Sequence, residues 1–327
     1  MISIAMTTYN GEKYIEKQLE SILNQTIKPD EVVIVDDCSS DNTVKLVTDF
    51  IENNNLSNWN IIRLSENYGF INSFNEAIKR VSGDIIFLCD QDDIWLKNKI
   101  QLMTELIDKN PNILCLASGF VKIDDNDNVI ITKRNPFSAN NNLIRKRVKK
   151  NNCINIDILE VITYNVSPGC TYAFKKEIKK DFINSISDKN FLPHDWKINI
   201  IAALYDGLYF LNIPTIKYRI HQGNTLGLNR SLNIEDRINC CKKSSDERKY
   251  MEYIIKSISS RKNDINKEII YKYIIKINKS LIERKIALKN RNICKLIYIL
   301  FKYNLFKNRM YESIIVDIAT IIKSYTK

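Results

Sequence analysis

The sequence predicts an α/β protein in which a mostly parallel β-sheet is flanked by helices and followed by a C-terminal α-helical extension. Over the first 125 residues, short β-branched runs alternate with segments of helical periodicity. From residue 234 onward strand signals are absent, and Ile, Leu, Tyr and Phe recur at three- and four-residue spacing. The 327 residues exceed the usual size of one domain. We therefore expect an α/β domain over residues 1–230 and a helical extension over residues 231–327.

Four strand–helix pairs build the α/β domain. Each strand is a short run rich in Ile and Val, and each helix carries apolar residues on one face, as Ile15, Leu19 and Ile22 do in the first. Because helices separate consecutive strands, the crossovers are right-handed and the sheet is parallel. The expected strands cover residues 2–6, 31–35, 60–64 and 84–89, and the expected helices cover residues 12–24, 44–51, 70–81 and 96–108.

Polar and mostly acidic residues follow the four strands. They are Thr7-Thr8-Tyr9-Asn10, Asp36-Asp37, Glu66-Asn67 and Asp90-Gln91-Asp92-Asp93. The carboxyl ends of parallel strands form the ligand-binding edge of such a sheet. Helix capping explains any one pair alone, but five aspartates at one edge would repel one another without a cation. Dinucleotide and P-loop motifs are absent, so if a phosphate-bearing ligand binds at this edge, its charge must be met by Mn²⁺ or Mg²⁺ held on the aspartates.

Three motifs carry this acidic edge. They are Thr7-Thr8-Tyr9-Asn10-Gly11 with Gln25-Thr26, residues 35–43, and Asp90-Gln91-Asp92-Asp93-Ile94-Trp95. Together they resemble the family 2 glycosyltransferases of the GT-A fold, which transfer a sugar from a nucleoside diphosphate to an acceptor hydroxyl. The third motif is similar to the rhamnosyltransferase-like branch that builds bacterial surface polysaccharides. The resemblance covers about residues 1–230, and Cys38 departs from the Gly or Asn usual at its position.

The resemblance implies roles for the residues of the edge. Tyr9 would pack against the nucleobase, and Asp37 would accept a hydrogen bond from its imide N–H, which suits uracil or thymine. Asp90 would hold the ribose and Asp92 the metal. The implied nucleotide-sugar site comprises Thr8, Tyr9, Asp37, Asn67 and Asp90, with Asp36 and Asp93 as secondary candidates that order it.

Both histidines of the chain lie in distinctive motifs, His194-Asp195-Trp196 and Tyr218-Arg219-Ile220-His221-Gln222-Gly223-Asn224-Thr225. The family places a histidine of the second type on the metal and diphosphate, which implies that His221 joins Asp92. Asp195 begins an apparent helix and could serve as its cap, but the resemblance implies that it is the general base. The secondary candidates are His194 and Trp196, together with Arg219 and Asn224, which would contact phosphate or order the loop. Gly169 is expected to permit a close backbone approach at the acceptor site.

The predicted function is that of an inverting, metal-dependent glycosyltransferase. It would move a sugar, with rhamnose favoured, from a dTDP- or UDP-linked donor to a hydroxyl of a lipid-linked surface polysaccharide. A UDP-hexose transferase of the same fold is an alternative. A nucleotidyltransferase would share an acidic metal site but would not need the two histidine motifs.

The formal charge of +11 is confined to the end of the chain, where residues 251–327 hold 17 Lys and Arg against 6 Asp and Glu. A nucleic-acid-binding protein would explain this charge but not the aspartate edge, so we expect no nucleic acid partner. The apolar helix faces of the extension suit packing on the α/β domain. Residues 293–306, which combine Lys with Tyr and Phe, suit an anionic membrane surface. With neither a leader nor a spanning segment, we expect a cytoplasmic protein at the inner face of the membrane.

Two further segments raise alternatives. Residues 124–128 are rich in Asp and Asn, but Val129 stands where an EF-hand loop needs Gly, so a hairpin turn is predicted instead. The Asn-rich residues 135–155, with the basic run 145–150, are expected to form a mobile loop near the acceptor. Contact of that run with the acceptor or with lipid phosphate remains open.

Overall fold

The computed structural model describes residues 1–131, 148–187, 192–221, 233–258, 264–306 and 310–325. All four expected strand–helix pairs are present within a few residues of their predicted bounds. They are β1 (Ile2–Thr8), α1 (Ile15–Leu23), β2 (Glu31–Asp36), α2 (Thr43–Asn53), β3 (Trp59–Arg63), α3 (Phe70–Arg80), β4 (Ile85–Cys89) and, after the short β5 (Ile94–Trp95), α4 (Lys99–Lys109).

The second half of the α/β region adds four strands and three α-helices among the described residues. They are β6 (Cys115–Ile123), β7 (Cys153–Asn155), α5 (Ile158–Thr163), β8 (Tyr172–Lys175), α6 (Lys179–Asn184), α7 (His194–Leu204) and β9 (Leu208–Arg219). The strand order is β3-β2-β1-β4-β8-β6-β9-β5, and β7 pairs with β9. The first four strands are parallel, as predicted, whereas β8 is antiparallel to both of its neighbours.

Three local differences from the sequence prediction have physical causes. Helix α1 begins later than expected because the Gly11 carbonyl accepts hydrogen bonds from the amides of Tyr14 and Ile15, which forms a turn. Helix α4 begins later because residues 94–95 pair with β9. The end of the segment expected to be a loop, residues 135–155, forms β7, and residues 135–147 of that segment lie outside the described part. The predicted hairpin turn is present, closed by a bridge between Ile123 and Val129.

The C-terminal extension is helical, as predicted. Its helices are α8 (Ile234–Ser257), α9 (Asp264–Lys289), α10 (Ile293–Lys302) and α11 (Tyr311–Tyr325). Met251 and Ile254 of α8 belong to the same hydrophobic core as Phe210 of the sheet. Arg248 Nη2 donates a 2.9 Å hydrogen bond to the carbonyl of Thr163, at the end of α5. The extension therefore packs directly on the elements behind the sheet.

A buried ion cluster joins three helices of the extension. Asp317 accepts two hydrogen bonds from Arg284, at 2.9 and 2.7 Å, and one from Arg237 at 2.7 Å. Asp317 is fully buried, so the two guanidinium groups compensate a carboxylate that would otherwise be costly to desolvate. No helix in the described ranges combines the length and the hydropathy that a membrane crossing requires.

Candidate functional site

A cavity of about 360 Å³ opens at the carboxyl ends of the parallel strands, where the sequence places the ligand edge. It brings together most of the predicted site residues, namely Thr8, Tyr9, Asp37, Asn67, Asp90, Asp92, His194, Asp195 and His221. Four secondary candidates, Asp36, Asp93, Trp196 and Arg219, do not line it. The remaining candidate, Asn224, lies outside the described residues.

The wall formed by β1, β2 and α3 is held by Asp37 and Gln91. Asp37 accepts hydrogen bonds from the amides of Tyr68, at 2.8 Å, and Gly69, at 2.9 Å, which fixes the loop that carries Asn67. Gln91 accepts from the amide of Tyr9 at 2.7 Å and donates to the Tyr9 carbonyl at 2.9 Å. The Tyr9 ring is left exposed at the rim of the cavity. Each Asp37 oxygen retains a second lone pair for a ligand.

Asp36 supports this wall from beneath. It is fully buried and accepts hydrogen bonds from the Thr8 hydroxyl and the Ser39 amide, each at 2.8 Å. These contacts hold the turn after β2 against the end of β1. Asp36 thus orders the edge without facing the cavity, and the Thr8 hydroxyl is engaged with it.

Asp92 and His221 meet at the opposite side of the cavity. Asp92 Oδ2 lies 2.8 Å from His221 Nε2, although 129 residues separate them in sequence. Adjacent ligand atoms on one octahedral ion of this size lie roughly 3 Å apart, so the pair fits a shared cation. A carboxylate and an imidazole also form a donor set suited to Mn²⁺.

Asp93 and Arg219 hold the backbone on either side of the Asp92–His221 pair in position. Asp93 is buried, and its Oδ1 accepts a 2.9 Å hydrogen bond from the Arg219 amide, two residues before His221. The Arg219 guanidinium donates to the carbonyls of Asp92, at 2.7 Å, and Asp124, at 2.8 Å, and forms an ion pair with Asp127. Of the two predicted alternatives for Arg219, these contacts are those of a residue that orders the loop.

The Asp-rich turn at residues 124–128 is part of the same support. Asp124 Oδ1 accepts from the amides of Asn126 and Asn128, each at 2.9 Å, as in a capped turn. Asp125 accepts a 2.6 Å hydrogen bond from the Tyr14 hydroxyl, and Asp127 pairs with Lys17. The carboxylates of this turn are thus matched by groups of the chain itself.

A second acidic cluster lies under the cavity floor. Ligand atoms of Asp90, Asp93 and Cys170 fall within 4.8 Å of one another. Burial raises the pKa of the Cys170 thiol well above its usual value, which keeps the sulfur protonated and a poor ligand. The buried Lys99 ammonium donates to the Cys170 carbonyl and lies 3.9 Å from the Trp95 ring centroid, so a cation is already present. Asp92 and His221 therefore suit an ion better than this cluster.

Asp90 connects the cluster with the cavity. Burial of its carboxyl group, followed by the charges of Asp92 and Asp195, raises the pKa of Asp90 to about 7. Like charges so close together destabilise the ionised form, and a cation beside Asp92 would relieve this repulsion.

Asp195 faces the cavity from α7 and is 4% exposed. Burial raises its pKa to about 6, opposed by hydrogen bonds from Asn165 and the Trp196 amide. Helix α7 begins at His194, and the capping position is occupied by Pro193, so the expectation that the helix starts at Asp195 was wrong by one residue. Asp195 lies in the first turn of α7, where its Oδ1 accepts a 2.7 Å hydrogen bond from the Trp196 amide and its Oδ2 accepts a 2.8 Å hydrogen bond from Asn165.

Comparison with known proteins decides the family. The sequence model described as Glycosyl transferase family 2 matches residues 3–166. The chain belongs to glycosyl transferase family 2. It is 31% identical to the dTDP-rhamnosyl transferase RfbG of Shigella flexneri over 239 residues, 69% of this chain and 75% of RfbG. It is also 35% identical over 128 residues to the UDP-Glc:α-D-GlcNAc-diphosphoundecaprenol β-1,3-glucosyltransferase WfgD of Escherichia coli, covering 38% of this chain and 48% of WfgD.

Solved structures confirm the fold of this glycosyltransferase. TarS residues 1–349 of S. aureus, in complex with UDP-GlcNAc, superpose with a TM-score of 0.60 at 18% identity, covering 99% of this chain and 91% of TarS 1–349. The mannosyltransferase PcManGT of Pyrobaculum calidifontis, in complex with GDP-Man and Mn²⁺, gives 0.53 at 15% identity, covering 98% and 86%. The predicted GT-A architecture is therefore confirmed, with the helical extension included in the matched length.

Several residues of the glycosyltransferase site were missed in the sequence. Asn165 bonds Asp195 but is one of many asparagines, and no local pattern distinguishes it. Phe70 and Phe74 also line the cavity, although their spacing in the sequence indicated only a helix. Trp196, in contrast, points away from the cavity, and its indole N–H donates to the Val161 carbonyl at 2.7 Å.

Proposed function

We propose that this glycosyltransferase inverts configuration and transfers a sugar, rhamnose in the first instance, from a dTDP- or UDP-linked donor to a hydroxyl of a lipid-linked surface polysaccharide. The observation that carries the proposal is Asp195, a buried carboxylate with a pKa of about 6 that lines the same cavity as the aspartate edge. At neutral pH such a group is mostly ionised and can still accept a proton efficiently.

The chemistry is a single displacement. The acceptor oxygen forms a bond to C1 of the sugar as the bond from C1 to the diphosphate oxygen breaks. The acceptor proton passes to Asp195, and the electron pair leaves with the nucleoside diphosphate. Asp195 and the diphosphate would lie on opposite faces of the sugar, so the configuration at C1 inverts.

The nucleotide would lie along the wall of β1, β2 and α3. The exposed Tyr9 ring offers a face for the base, and the free lone pairs of Asp37 suit an imide N–H. Asp90 would bind the ribose, with Asn67 at the border of the site. Thr8 contributes through the Asp36 turn that it anchors.

A divalent cation would be held by Asp92 and His221, whose ligand atoms are 2.8 Å apart. When bound, it would neutralise the charge that develops on the departing diphosphate. The presence of Mn²⁺ in the related PcManGT structure is consistent with this assignment.

Two donor classes compete. Similarity to a dTDP-rhamnosyl transferase over 239 residues favours dTDP-rhamnose, whereas similarity to a UDP-glucose-dependent enzyme over 128 residues favours a UDP-hexose. A panel of sugar nucleotides, assayed with Mn²⁺ for hydrolysis and for protection from thermal unfolding, separates them. Equal response to every sugar nucleotide would contradict a dedicated rhamnosyl transferase.

Replacing the proposed base tests the mechanism. Asp195→Asn should lower transfer by about 10²- to 10⁴-fold with donor affinity nearly unchanged. Asp181→Asn is the control, because Asp181 bonds Tyr205 outside the cavity and should keep wild-type turnover. An Asp195→Asn protein with wild-type turnover would remove Asp195 from this role.

The extension would hold the enzyme at the inner face of the membrane, with residues 1–230 as the catalytic domain. Ile297, Tyr298 and Phe301 lie on one exposed face of α10, and Phe306 follows it with its ring centroid 5.4 Å from that of Phe301. Phe301 is 67% exposed, and with Ile297 and Tyr298 it forms a contiguous exposed apolar patch of the kind that marks membrane or protein contact sites. Lys302, next to Phe301 in sequence, forms an ion pair with Glu283.

Vesicle sedimentation tests this contact. The full chain should bind vesicles containing anionic lipid more strongly than neutral ones, and Tyr298→Ser with Phe301→Ser should weaken binding. Ile131→Ser is the control, because Ile131 is 92% exposed but lies outside the extension. Unchanged sedimentation of the double variant would refute the assignment of this face.

A further inference from the structure

His194 is an imidazole buried at the cavity wall. It is the first residue of α7 and is 4% exposed. One ring face stacks on Phe74, with the centroids 3.6 Å apart and the planes at 23°. The Phe70 ring is nearly perpendicular to the imidazole, with the two centroids 6.4 Å apart. These contacts fix the plane of the ring, and both of its nitrogens are buried.

Neither ring nitrogen has a hydrogen-bond partner in the described part of the chain. Burial, followed by the charge of Lys197, lowers the pKa of His194 to about 3, so the ring is neutral. A neutral imidazole carries one donor and one acceptor, and buried polar groups are nearly always paired. A buried histidine that leaves both unpaired is costly unless another molecule supplies the partner.

The surroundings of His194 indicate the chemistry of that partner. Phe70, Phe74, Pro168 and Pro193 also line this part of the cavity, so it is largely apolar, with Asp195 adjacent. Gly169 faces the Nε2 edge, where a Cβ atom would lie 2.7 Å from Nε2. An apolar wall with one neutral donor and acceptor suits the C–H face and one hydroxyl of a sugar ring.

We propose that His194 hydrogen-bonds a hydroxyl group of a pyranose ring and thereby selects the sugar. The assignment rests on the proposed glycosyl transfer, and the ring belongs either to the donor sugar or to the acceptor sugar next to the base. A hydroxyl both donates and accepts, so it matches either tautomer of the neutral ring.

Imidazole NMR tests the contact directly. The chain has 2 histidines, so full-length protein labelled with ¹⁵N-histidine gives two imidazoles, and a His221→Gln sample assigns them. The probes are UDP and dTDP, then UDP-glucose and dTDP-rhamnose, each with Mg²⁺. If the donor sugar is the partner, the His194 nitrogens shift with a sugar nucleotide and not with the nucleotide alone.

Two variants separate this role from packing. His194→Phe keeps the stacking on Phe74 and removes an unpaired polar group, so its Tm should equal or exceed that of the wild type. Its kcat/KM for transfer to a lipid extract of the source cells should fall about 10- to 100-fold. His194→Gln, which can still donate and accept, should recover part of the loss.

The outcomes distinguish the two sugars and the two proposals. If His194→Phe no longer binds a sugar nucleotide more tightly than the nucleotide alone, His194 contacts the donor sugar. If the variant keeps donor affinity and donor hydrolysis but loses transfer, His194 contacts the acceptor sugar. If His194→Phe transfers sugar at the wild-type rate, and no sugar nucleotide shifts the His194 ¹⁵N resonances, the proposed contact is overturned. An ordered water would then be the partner of the ring. Absence of nucleotide binding and transfer in the wild type would instead refute the proposed function.

Discussion

Asn165 Nδ2 donates a 2.8 Å hydrogen bond to Oδ2 of Asp195. Asn199 Nδ2 in turn donates 2.7 Å hydrogen bonds to Asn165 Oδ1 and to the Tyr172 hydroxyl. This chain of amides joins α7 to the segment before β8 and fixes the orientation of Asp195. It also stabilises the ionised carboxylate against the cost of burial.

The pH dependence of transfer should show the titration of Asp195. The pKa of about 6 means that the proportion of ionised base falls as the pH drops through this value. At saturating donor, acceptor and Mn²⁺, kcat should therefore fall about tenfold per pH unit below pH 6 and level off above it. A kcat that stays constant between pH 7 and pH 5 would contradict a base of this pKa.

Removing Asn165 should move the pH at which kcat begins to fall on the acid side of the profile, which we call the acid limb. Asn165→Ala deletes the hydrogen bond that lowers the pKa of Asp195, so the limb should shift upward by roughly one pH unit. Asn199→Ala is the matched comparison, because the Asn199 side chain bonds Asn165 and not the Asp195 carboxylate, and its removal should shift the fall in kcat less. Identical profiles for the wild type and both variants would show that the amide chain does not tune the base.

Metal binding by Asp92 and His221 should be visible in thermal stability without any substrate. A cation that binds only the folded state raises Tm, so Mn²⁺ should stabilise the wild type but not Asp92→Asn or His221→Ala. Glu105→Gln serves as the control, because Glu105 is an acidic residue on α4 outside the cavity. Full Mn²⁺ stabilisation of Asp92→Asn would place the ion elsewhere.

Gly169 should be needed for the site rather than only for folding. In Gly169→Ala the added Cβ would lie 2.7 Å from His194 Nε2, and the stacked ring has little room to move. Gly83→Ala also meets a close contact, 2.8 Å from the Ser3 amide, but outside the cavity. We expect both variants to unfold at lower temperature, with transfer per folded molecule lost in Gly169→Ala alone. Equal specific activities would contradict this assignment.

The buried Asp317 cluster should dominate the stability of the extension. Asp317→Ala leaves the nearly buried Arg284 without its carboxylate and should cost about 3 to 5 kcal/mol in the free energy of unfolding. Lys302→Met breaks the solvent-accessible pair with Glu283 and should change stability little. Urea denaturation of the full chain measures both, and similar midpoints would contradict the difference expected from burial.

Local sequence was sufficient for the four strand–helix pairs, because β-branched runs and helical periodicity are properties of short segments. Once the parallel strands were predicted, the ligand edge followed, because parallel strands bring their carboxyl ends to one edge of the sheet. Starts of helices were less predictable. The Gly11 turn and the pairing of residues 94–95 with β9 depend on hydrogen bonds that no local pattern contains.

By itself the sequence determined the acidic edge, the two histidine motifs and the confinement of the excess charge to the end of the chain. Only the tertiary structure decided which of these groups meet. It brings His221 within 2.8 Å of Asp92 and forms the hydrogen bond between Asn165 and Asp195. It also buries Asp36 and Asp93 outside the cavity lining. It also packs the extension on the sheet core. The physical reason is that contacts between residues far apart in sequence, and the burial that shifts a pKa, arise only when the elements pack together.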